Sequence, residues 1–377
     1  MPAPEAKIQR MFYIDNIRWL MIVLVIVIHA NVIYGPVGQF FGIDYGSEEL
    51  GVADIIMALI SILVQTFFMG VLFLIAGYFV PNSLARKGEK KFVWDRFIRL
   101  GIPALIFIFF LAPSIDYPVW AMDEMSFSAW ALNYYPYPWN WDNGPMWFAI
   151  ALLIFSIAWI FTPSGWTFAR FKGSLTRTRV AIIMAVAIIG TILVRIPFPI
   201  ETDVWNMQLC FFTQYIVLFV VGIIACHKNW LSTIPKKDAR FYALIAVATF
   251  FLVLIPLLVF GGALDGDLTP AYGGLHWQAV ALALFEQVFG ISVVMWLLIW
   301  FRERYNRQGW IEKKLSDNAF AVYVFHPPIV AGLAIMIAGV ELPGFLKFIL
   351  VAAGAILITF SLAELVLRRI PLLKKVL

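Results

Sequence analysis

The stretch RWLMIVLVIVIHANVIY, residues 18–34, decides the fold class of this chain. Its length and its nearly continuous apolar character approach the ~20 residues that a helix needs to cross the hydrocarbon core of a bilayer. Similar runs recur along the whole chain. They predict about ten membrane-spanning helices, close to residues 18–34, 54–80, 100–115, 145–162, 180–197, 207–226, 241–260, 279–301, 318–338 and 345–366. We therefore expect an all-α polytopic membrane protein in a lipid bilayer.

The composition agrees with a membrane fold and excludes several other classes. Of the 377 residues, 62% are hydrophobic and 14% are charged, whereas soluble domains average about 25% charged residues. The net charge of +5 comes from short basic clusters between apolar runs, so we expect no nucleic-acid partner. Cys210 and Cys226 belong to one apolar run and are interpreted as small hydrophobic residues. The first run lacks a small-residue cleavage site and is expected to remain as a span.

The basic residues predict the orientation of the spans. Of the 28 Lys and Arg residues, 25 lie in the two terminal tails and in four connections, 81–99, 163–179, 227–240 and 302–317. The alternating connections contain no Lys or Arg, although they carry acidic residues; these connections are 35–53, 113–144, 198–206, 261–278 and 339–344. By the positive-inside rule both termini are cytoplasmic. Any missed span would break this alternation, which supports ten spans in the inner, or plasma, membrane.

The chain is expected to form a single transmembrane domain over residues 1–377, with no appended soluble domain. The largest outer connection, 113–144, is rich in aromatic residues: Tyr117, Trp120, Trp130, Tyr134, Tyr135, Tyr137, Trp139 and Trp141. Trp and Tyr collect at membrane interfaces, so an aromatic belt is one interpretation. A stacking platform for a sugar is the other.

His29 and Arg18 form the most informative pair of polar residues in an apolar run. They are eleven residues apart, which corresponds to about 16 Å of helical rise and to nearly the same helix face. Arg18 is therefore expected at the cytoplasmic rim, with His29 above it near the middle of the bilayer. Asp15 lies on roughly the same stripe. Ionisable residues at this depth are costly and usually serve function, and the alignment favours an anionic ligand that enters from the cytoplasm.

Three further ionisable residues fall within predicted spans. His326 lies about 12 Å into its span and is followed by Pro327 and Pro328, which leave carbonyls near Tyr323 or Val324 without a backbone donor. His326 is either a base or a hydrogen-bonded packing residue. Glu286 lies about 10 Å below the outer surface; it is either catalytic or a structural carboxylate paired with Arg195 or a hydroxyl.

Arg96 and Arg99 are three residues apart at the cytoplasmic end of the third span. This spacing places both guanidinium groups on one helix face, and Arg forks suit phosphate groups. Ordinary positive-inside decoration explains each Arg singly but not the spacing.

Five stretches of the chain, which include Arg18, Arg96, Arg99 and His326, resemble the acyltransferase 3 family of membrane-bound O-acyltransferases. The matching stretches are YIDNIRWL (13–20) with His29 downstream, FLIAGYF (73–79), DRFIRL (95–100), MWF (146–148) and NAFAVYVFHPP (318–328). Arg18 and His29 correspond to the family's Arg-x10-His motif, and Arg96 and Arg99 to its cytoplasmic arginine motif.

The resemblance implies transfer of an acyl group from cytoplasmic acyl-CoA to a hydroxyl of an extracytoplasmic glycan or related acceptor. Acetyl-CoA is the expected donor and succinyl the alternative. On this interpretation the catalytic candidates are His29, Glu286 and His326, and Arg18, Arg96 and Arg99 bind acyl-CoA. Arg195 and Asp15 bind the acceptor or are structural. Neither a metal nor a permanently bound cofactor is expected, and the oligomeric state is left open.

Two other functional classes compete with this interpretation. A proton-coupled secondary transporter also uses buried His, Glu and Arg residues. Such transporters commonly contain paired repeats, whereas the second half of this chain has no counterpart of the Arg18–His29 helix. A non-catalytic membrane scaffold or sensor leaves that aligned pair unexplained.

Overall fold

The computed structural model describes residues 10–46, 51–122, 124–162, 173–263, 266–371 and 373. Within these residues the regular structure is helical, with two isolated β-bridges, Phe40 with Ile43 and Val204 with Met207. The acidic residues Glu48, Glu49, Asp123 and Asp265 lie outside the described residues, as do Lys7, Arg170, Lys172, Lys374 and Lys375 of the basic clusters. The predicted all-α polytopic fold is confirmed.

Nine helices of the described part are long and apolar enough to cross a membrane, and a tenth is shorter. In chain order they are α1 (Phe12–Tyr34), α2 (Val52–Lys87), α3 (Glu89–Met122), the short α4 (Gly144–Ile160), α5 (Arg177–Val194), α6 (Leu209–Lys228), α7 (Asp238–Phe260), α8 (Trp277–Arg304), α9 (Trp310–Met336) and α10 (Gly344–Arg369). Each corresponds to one of the ten predicted spans, and the chain is a multi-pass membrane protein.

The second and third helices are longer and less regular than the sequence predicts. Helix α2 is interrupted at Thr66–Phe67 between its two segments, Val52–Gln65 and Phe68–Lys87. Helix α3 contains π-helical turns at Phe97–Gly101 and Phe107–Leu111, and it continues to Met122 although the predicted span ends near residue 115. Its 34 residues exceed the ~20 needed to cross the bilayer, so α3 projects beyond the hydrocarbon. One of the π-turns contains Arg99.

Helix α1 packs along α9 and α10. Ile17, Met21, Ile26 and Ile33 of α1 have no exposed surface. Near the N-terminal end of α1 the Asn16 amide donates to the carbonyl oxygens of Tyr305 (2.7 Å) and Arg307 (3.0 Å) in the loop between α8 and α9. This attachment fixes the start of α1 beside the start of α9, the two helices that carry the intramembrane histidines.

Candidate active site

The imidazoles of His29 and His326 meet inside the bundle. Nδ1 of His29 lies 2.8 Å from Nε2 of His326. The two rings are within 8° of parallel and their centroids are 5.0 Å apart. Because the two nitrogens are much closer than the centroids, this is an in-plane hydrogen bond and not a face-to-face stack. The sequence predicts a similar depth for both residues, but only the packing of α9 on α1 brings them into contact.

The two histidines differ in accessibility. His326 has no exposed surface, and its Nδ1 lies 2.8 Å from the carbonyl oxygen of Tyr323. His29 is partly exposed, and no hydrogen-bond partner engages its Nε2 within the described part of the chain. A ring nitrogen of His29 is therefore available to a ligand, whereas His326 is enclosed by protein on both nitrogens.

The segment after α1 folds back over His29. The Phe40 ring stacks on the imidazole at a centroid distance of 4.5 Å and an angle of 25°. A tight turn positions this ring: Phe41 and Gly42 have positive φ values of 53° and 72°, and Phe40 and Ile43 exchange backbone hydrogen bonds. Phe40 and Ile43 are buried. The sequence analysis did not predict this cover of His29 by Phe40. The sequence feature that indicates it is Gly42, which suits the tight turn with positive φ values.

The stretches that carry the family resemblance converge next to the histidine pair. Tyr323, three residues before His326, donates its hydroxyl to the carbonyl of Pro145 and packs edge-on against Phe148 at 5.9 Å. Phe148 in turn contacts Phe73 of α2 at 4.8 Å. Three stretches that are far apart in sequence thus form one aromatic layer beside the imidazoles.

The predicted arginines gather at the other end of α1. Arg18 is 48% exposed and lies 3.7 Å from Asp15, which also pairs with Arg10 at 2.9 Å. Arg96 lies within Coulombic range of both Arg18 and Arg99. No carboxylate of the described residues forms an ion pair with Arg96 or with Arg99. Arg18 pairs with Asp15, and Asp95 lies within Coulombic range of Arg99, so Arg96 is the arginine of the three for which no carboxylate interaction is described. The net positive charge of this cluster favours an anion.

The structure places Asp15 between Arg10 and Arg18 at the N-terminal end of α1, where its carboxylate pairs with both guanidinium groups. Its predicted role, in binding the acceptor or in structure, stays a prediction. Helix α1 sets the distance between the arginine cluster and the histidine pair. Eleven helical residues separate Arg18 from His29, which corresponds to a rise of about 16 Å.

Glu286 and Arg195 form a separate buried ion pair. Their closest atoms, Oε2 and Nη2, are 2.6 Å apart, and the side chains are 11% and 1% exposed. The Arg195 guanidinium also lies over the Phe211 ring at 5.4 Å. The Glu286 carboxylate accepts a hydrogen bond from Arg195, and no hydrogen bond to either imidazole is described for it. Of the three predicted catalytic residues, the structure joins two and places the third with its alternative partner.

The aromatic connection 113–144, which is predicted to face outward, is partly structural. Trp120 and Trp130 donate their indole N–H groups to the two oxygens of Asp116, at 3.2 and 2.9 Å. Trp139 is 76% exposed. Asp142 accepts hydrogen bonds from the backbone N–H of Gly144 and from Asn206, and burial raises the pKa of its carboxyl. A sugar platform remains a prediction for the exposed rings. No group of three or more metal-ligating side chains occurs among the described residues.

Comparisons with known proteins give the family of this chain. The family described as "Acyltransferase domain", acyltransferase 3, matches residues 11–364, and the chain belongs to this family. It is therefore a membrane-bound acyltransferase. Curated relatives include the glucans biosynthesis protein C of Escherichia coli O1:K1 / APEC, 23% identical over 97% of this chain and 94% of the relative. The protein of the same name from Escherichia coli strain K12 / DH10B is 22% identical with the same coverage. No solved structure matches the chain.

Proposed function

We propose that this protein transfers an acyl group, acetyl in first place, from cytoplasmic acyl-CoA to a hydroxyl of an extracytoplasmic glycan. The observation that carries the proposal is the hydrogen-bonded pair of His29 and His326. His29 lies eleven residues after Arg18 on the same helix, about 16 Å along its axis. The family supplies the reaction class. The name of the E. coli relatives, which refers to glucan biosynthesis, supports a carbohydrate acceptor.

In the proposed reaction His29 is the general base. Its Nε2 removes the proton of the acceptor hydroxyl while the oxygen attacks the thioester carbonyl carbon. The carbon–sulfur bond then breaks, and the CoA thiolate takes up the proton from the imidazolium, so that the products are the O-acyl ester and free CoA. Neutral imidazole suits this task near neutral pH. His326 holds the His29 ring and stabilises it while it carries the proton.

The donor is proposed to bind along the cytoplasmic half of α1. Arg18, Arg96 and Arg99 would hold the phosphates of CoA with charge-assisted hydrogen bonds. The thioester would then reach His29 through the extended pantetheine arm, whose length is comparable to the ~16 Å rise between Arg18 and His29. In the proposed orientation, with both termini cytoplasmic in the inner membrane, this cluster would lie on the side where acyl-CoA is available.

The acceptor is proposed to approach from the opposite side. Glu286 and Arg195 lie in the outer halves of their spans in the proposed orientation, and we assign the pair to positioning the acceptor. Their ion pair makes a direct role of Glu286 in proton transfer from the hydroxyl secondary to that of His29. Succinyl is the alternative acyl group, because the glucan-decorating branch of the family has the same motifs.

A proton-coupled transporter is the alternative that the experiment must separate. Purified protein in nanodiscs, supplied with acetyl-CoA and an envelope glycan extract, should release free CoA thiol and label the glycan. His29→Ala should lose roughly 10²–10⁴-fold in rate while protein level and CoA binding persist. His276→Ala, at the start of α8 outside the pair, is the matched control. A wild-type protein that consumes neither acetyl-CoA nor succinyl-CoA would support the transporter instead.

His326→Ala should also reduce transfer, but less completely than His29→Ala, because the base itself remains. If His29→Ala kept most of its turnover, the assignment of α1 as the catalytic helix would be wrong, and His326 would be the leading base.

A further inference from the structure

The partners of His326 determine which of its nitrogens carries hydrogen. Nδ1 lies 2.8 Å from the carbonyl oxygen of Tyr323 and 3.3 Å from that of Val322. A carbonyl oxygen can only accept, so Nδ1 is the protonated nitrogen of this ring. In the neutral imidazole Nε2 is then an acceptor, and the 2.8 Å contact with His29 is donated by Nδ1 of His29. By the same rule, Nε2 of His29 carries the lone pair.

The Tyr323 carbonyl is open to the imidazole because of the residue at position 327. In a regular α-helix this carbonyl accepts a hydrogen bond from the N–H of residue 327. That residue is Pro327, which has no N–H and whose ring displaces the carbonyl four residues earlier. The sequence predicts freed carbonyls near Tyr323 or Val324, and the structure shows that the first of them is bonded by His326.

Pro328 provides a comparison within the same turn of helix. By the same spacing it removes the backbone donor from the carbonyl of Val324. Neither nitrogen of His326 contacts that carbonyl; its described partners are Tyr323, Val322 and His29. The two prolines therefore remove equivalent backbone bonds, but only the carbonyl freed by Pro327 reaches the histidine pair.

We propose that Pro327 is a positioning residue for acyl transfer, which acts through the Tyr323 carbonyl and His326 to keep Nε2 of His29 free of hydrogen. This inference rests on the proposed function of His29 as the base. Pro327 leaves the carbonyl of Tyr323 without a backbone donor, and this carbonyl accepts a hydrogen bond from Nδ1–H of His326. Nε2 of His326 then accepts a hydrogen bond from Nδ1–H of His29. With the opposite tautomer, Nε2 of His29 would carry hydrogen and would not accept the proton of a hydroxyl.

Nitrogen NMR of the imidazoles tests the proposal without an acceptor. The chain has four histidines, and a His227→Gln/His276→Gln background leaves only His29 and His326. In this otherwise intact protein, labelled with ¹⁵N-histidine in nanodiscs, both neutral rings should carry hydrogen on Nδ1. Hydrogen on Nε2 of either ring would overturn the assignment, whether or not the proline variants fold.

Pro327→Ala and Pro328→Ala then separate positioning from helix shape. In Pro327→Ala the restored N–H competes for the Tyr323 carbonyl, so His326 should populate both tautomers. Transfer should fall roughly 10- to 100-fold in kcat, the loss typical when an outer group that orients a metal-ligating histidine is removed, with KM for acetyl-CoA unchanged. Pro328→Ala should leave both the spectrum and kcat near wild type.

The outcomes are distinguishable from failure of the proposed function. If His29→Ala keeps its turnover while the spectra behave as expected, the tautomer assignment holds and the catalytic role fails. If Pro327→Ala folds and shows the wild-type spectrum and kcat, Pro327 only shapes the helix and the proposal is wrong. Equal losses in Pro327→Ala and Pro328→Ala would also contradict it.

Discussion

Gly222 of α6 rests directly against the backbone of Leu74 in α2. A Cβ added at Gly222 would lie 2.1 Å from the Leu74 carbonyl oxygen and 2.9 Å from the backbone nitrogen of Tyr78. Gly77, on the opposite helix, has the reciprocal relation to the carbonyl of Phe219. Small residues that let two backbones approach in this way are typical of helix pairs in membranes. The contact anchors the FLIAGYF stretch, and through Phe73 it supports the aromatic layer beside the histidines.

Gly222→Ala is therefore expected to destabilise the bundle. The new methyl group cannot move away from the Leu74 backbone, and overpacking of this kind costs about 1–3 kcal/mol. Thermal unfolding of the purified protein should show a lower midpoint. Gly332→Ala is the control, because nothing lies within 4 Å of an added Cβ there. Equal stability of the two variants would show that α2 and α6 are not in such close contact.

The second prediction concerns orientation. Single cysteines are introduced at Glu124 and at Lys90 in a protein whose Cys210 and Cys226 are replaced by Ala. In intact cells the cysteine at 124, next to Asp123, should react with an impermeant thiol reagent, because its connection lacks cations and faces outward. The cysteine at 90 should react only after the membrane is opened. The reverse pattern would invert the orientation.

The third prediction concerns the donor. Replacing Arg18, Arg96 or Arg99 by Ala should weaken binding of CoA by roughly tenfold or more, because each loses a charge-assisted hydrogen bond to phosphate. Affinity of the wild type should also fall with salt. Titration calorimetry in nanodiscs measures both effects. Lys should restore binding poorly at these positions because it lacks the planar fork.

Lys90→Ala serves as the control for the arginine variants, since it removes an exposed cation from the same region without touching the cluster. Unchanged CoA affinity in all three arginine variants would reduce them to topology signals.

The fourth prediction separates the two roles of the buried ion pair. Arg195→Met leaves the Glu286 carboxylate buried without its partner, which costs about 3–5 kcal/mol, so protein abundance should fall. The double variant Arg195→Met/Glu286→Leu should recover abundance, because no unpaired charge remains. Immunoblots of membranes measure this recovery.

Transfer by the double variant then decides what the pair does. Restored abundance with reduced transfer supports a role in positioning the acceptor, whereas full transfer makes the pair purely structural. Glu286→Gln alone should reduce transfer less completely than His29→Ala.

The architecture of the bundle follows from the sequence because membrane spans are encoded locally. Each span is a continuous apolar run, and the rise of a helix relates Arg18 to His29 without any knowledge of other helices. The carbonyl released by Pro327 is predictable for the same reason. All of these features depend on residues within one helix.

The contacts between helices could not be predicted in this way. The bond between His29 and His326 depends on how α9 packs on α1, and two histidines of similar depth can equally face different neighbours. Glu286 illustrates the limit: its depth is compatible with an imidazole partner or with Arg195, and only packing selects Arg195. The π-turn that contains Arg99 also lacks a signal in the apolar pattern.

The Phe40 ring over His29 also bears on the energy stored across the membrane. Two hydrogen-bonded imidazoles near mid-bilayer are efficient carriers of protons, and a charge that crosses the membrane releases about 2.3 kcal/mol per 100 mV. An acyltransferase open to water on both sides of this pair would short-circuit the ion gradient of its own cell. The turn at Phe41-Gly42 holds an apolar ring against one face of His29 and covers that face of the imidazole. We therefore expect this ring to limit the leakage of protons through the histidine pair.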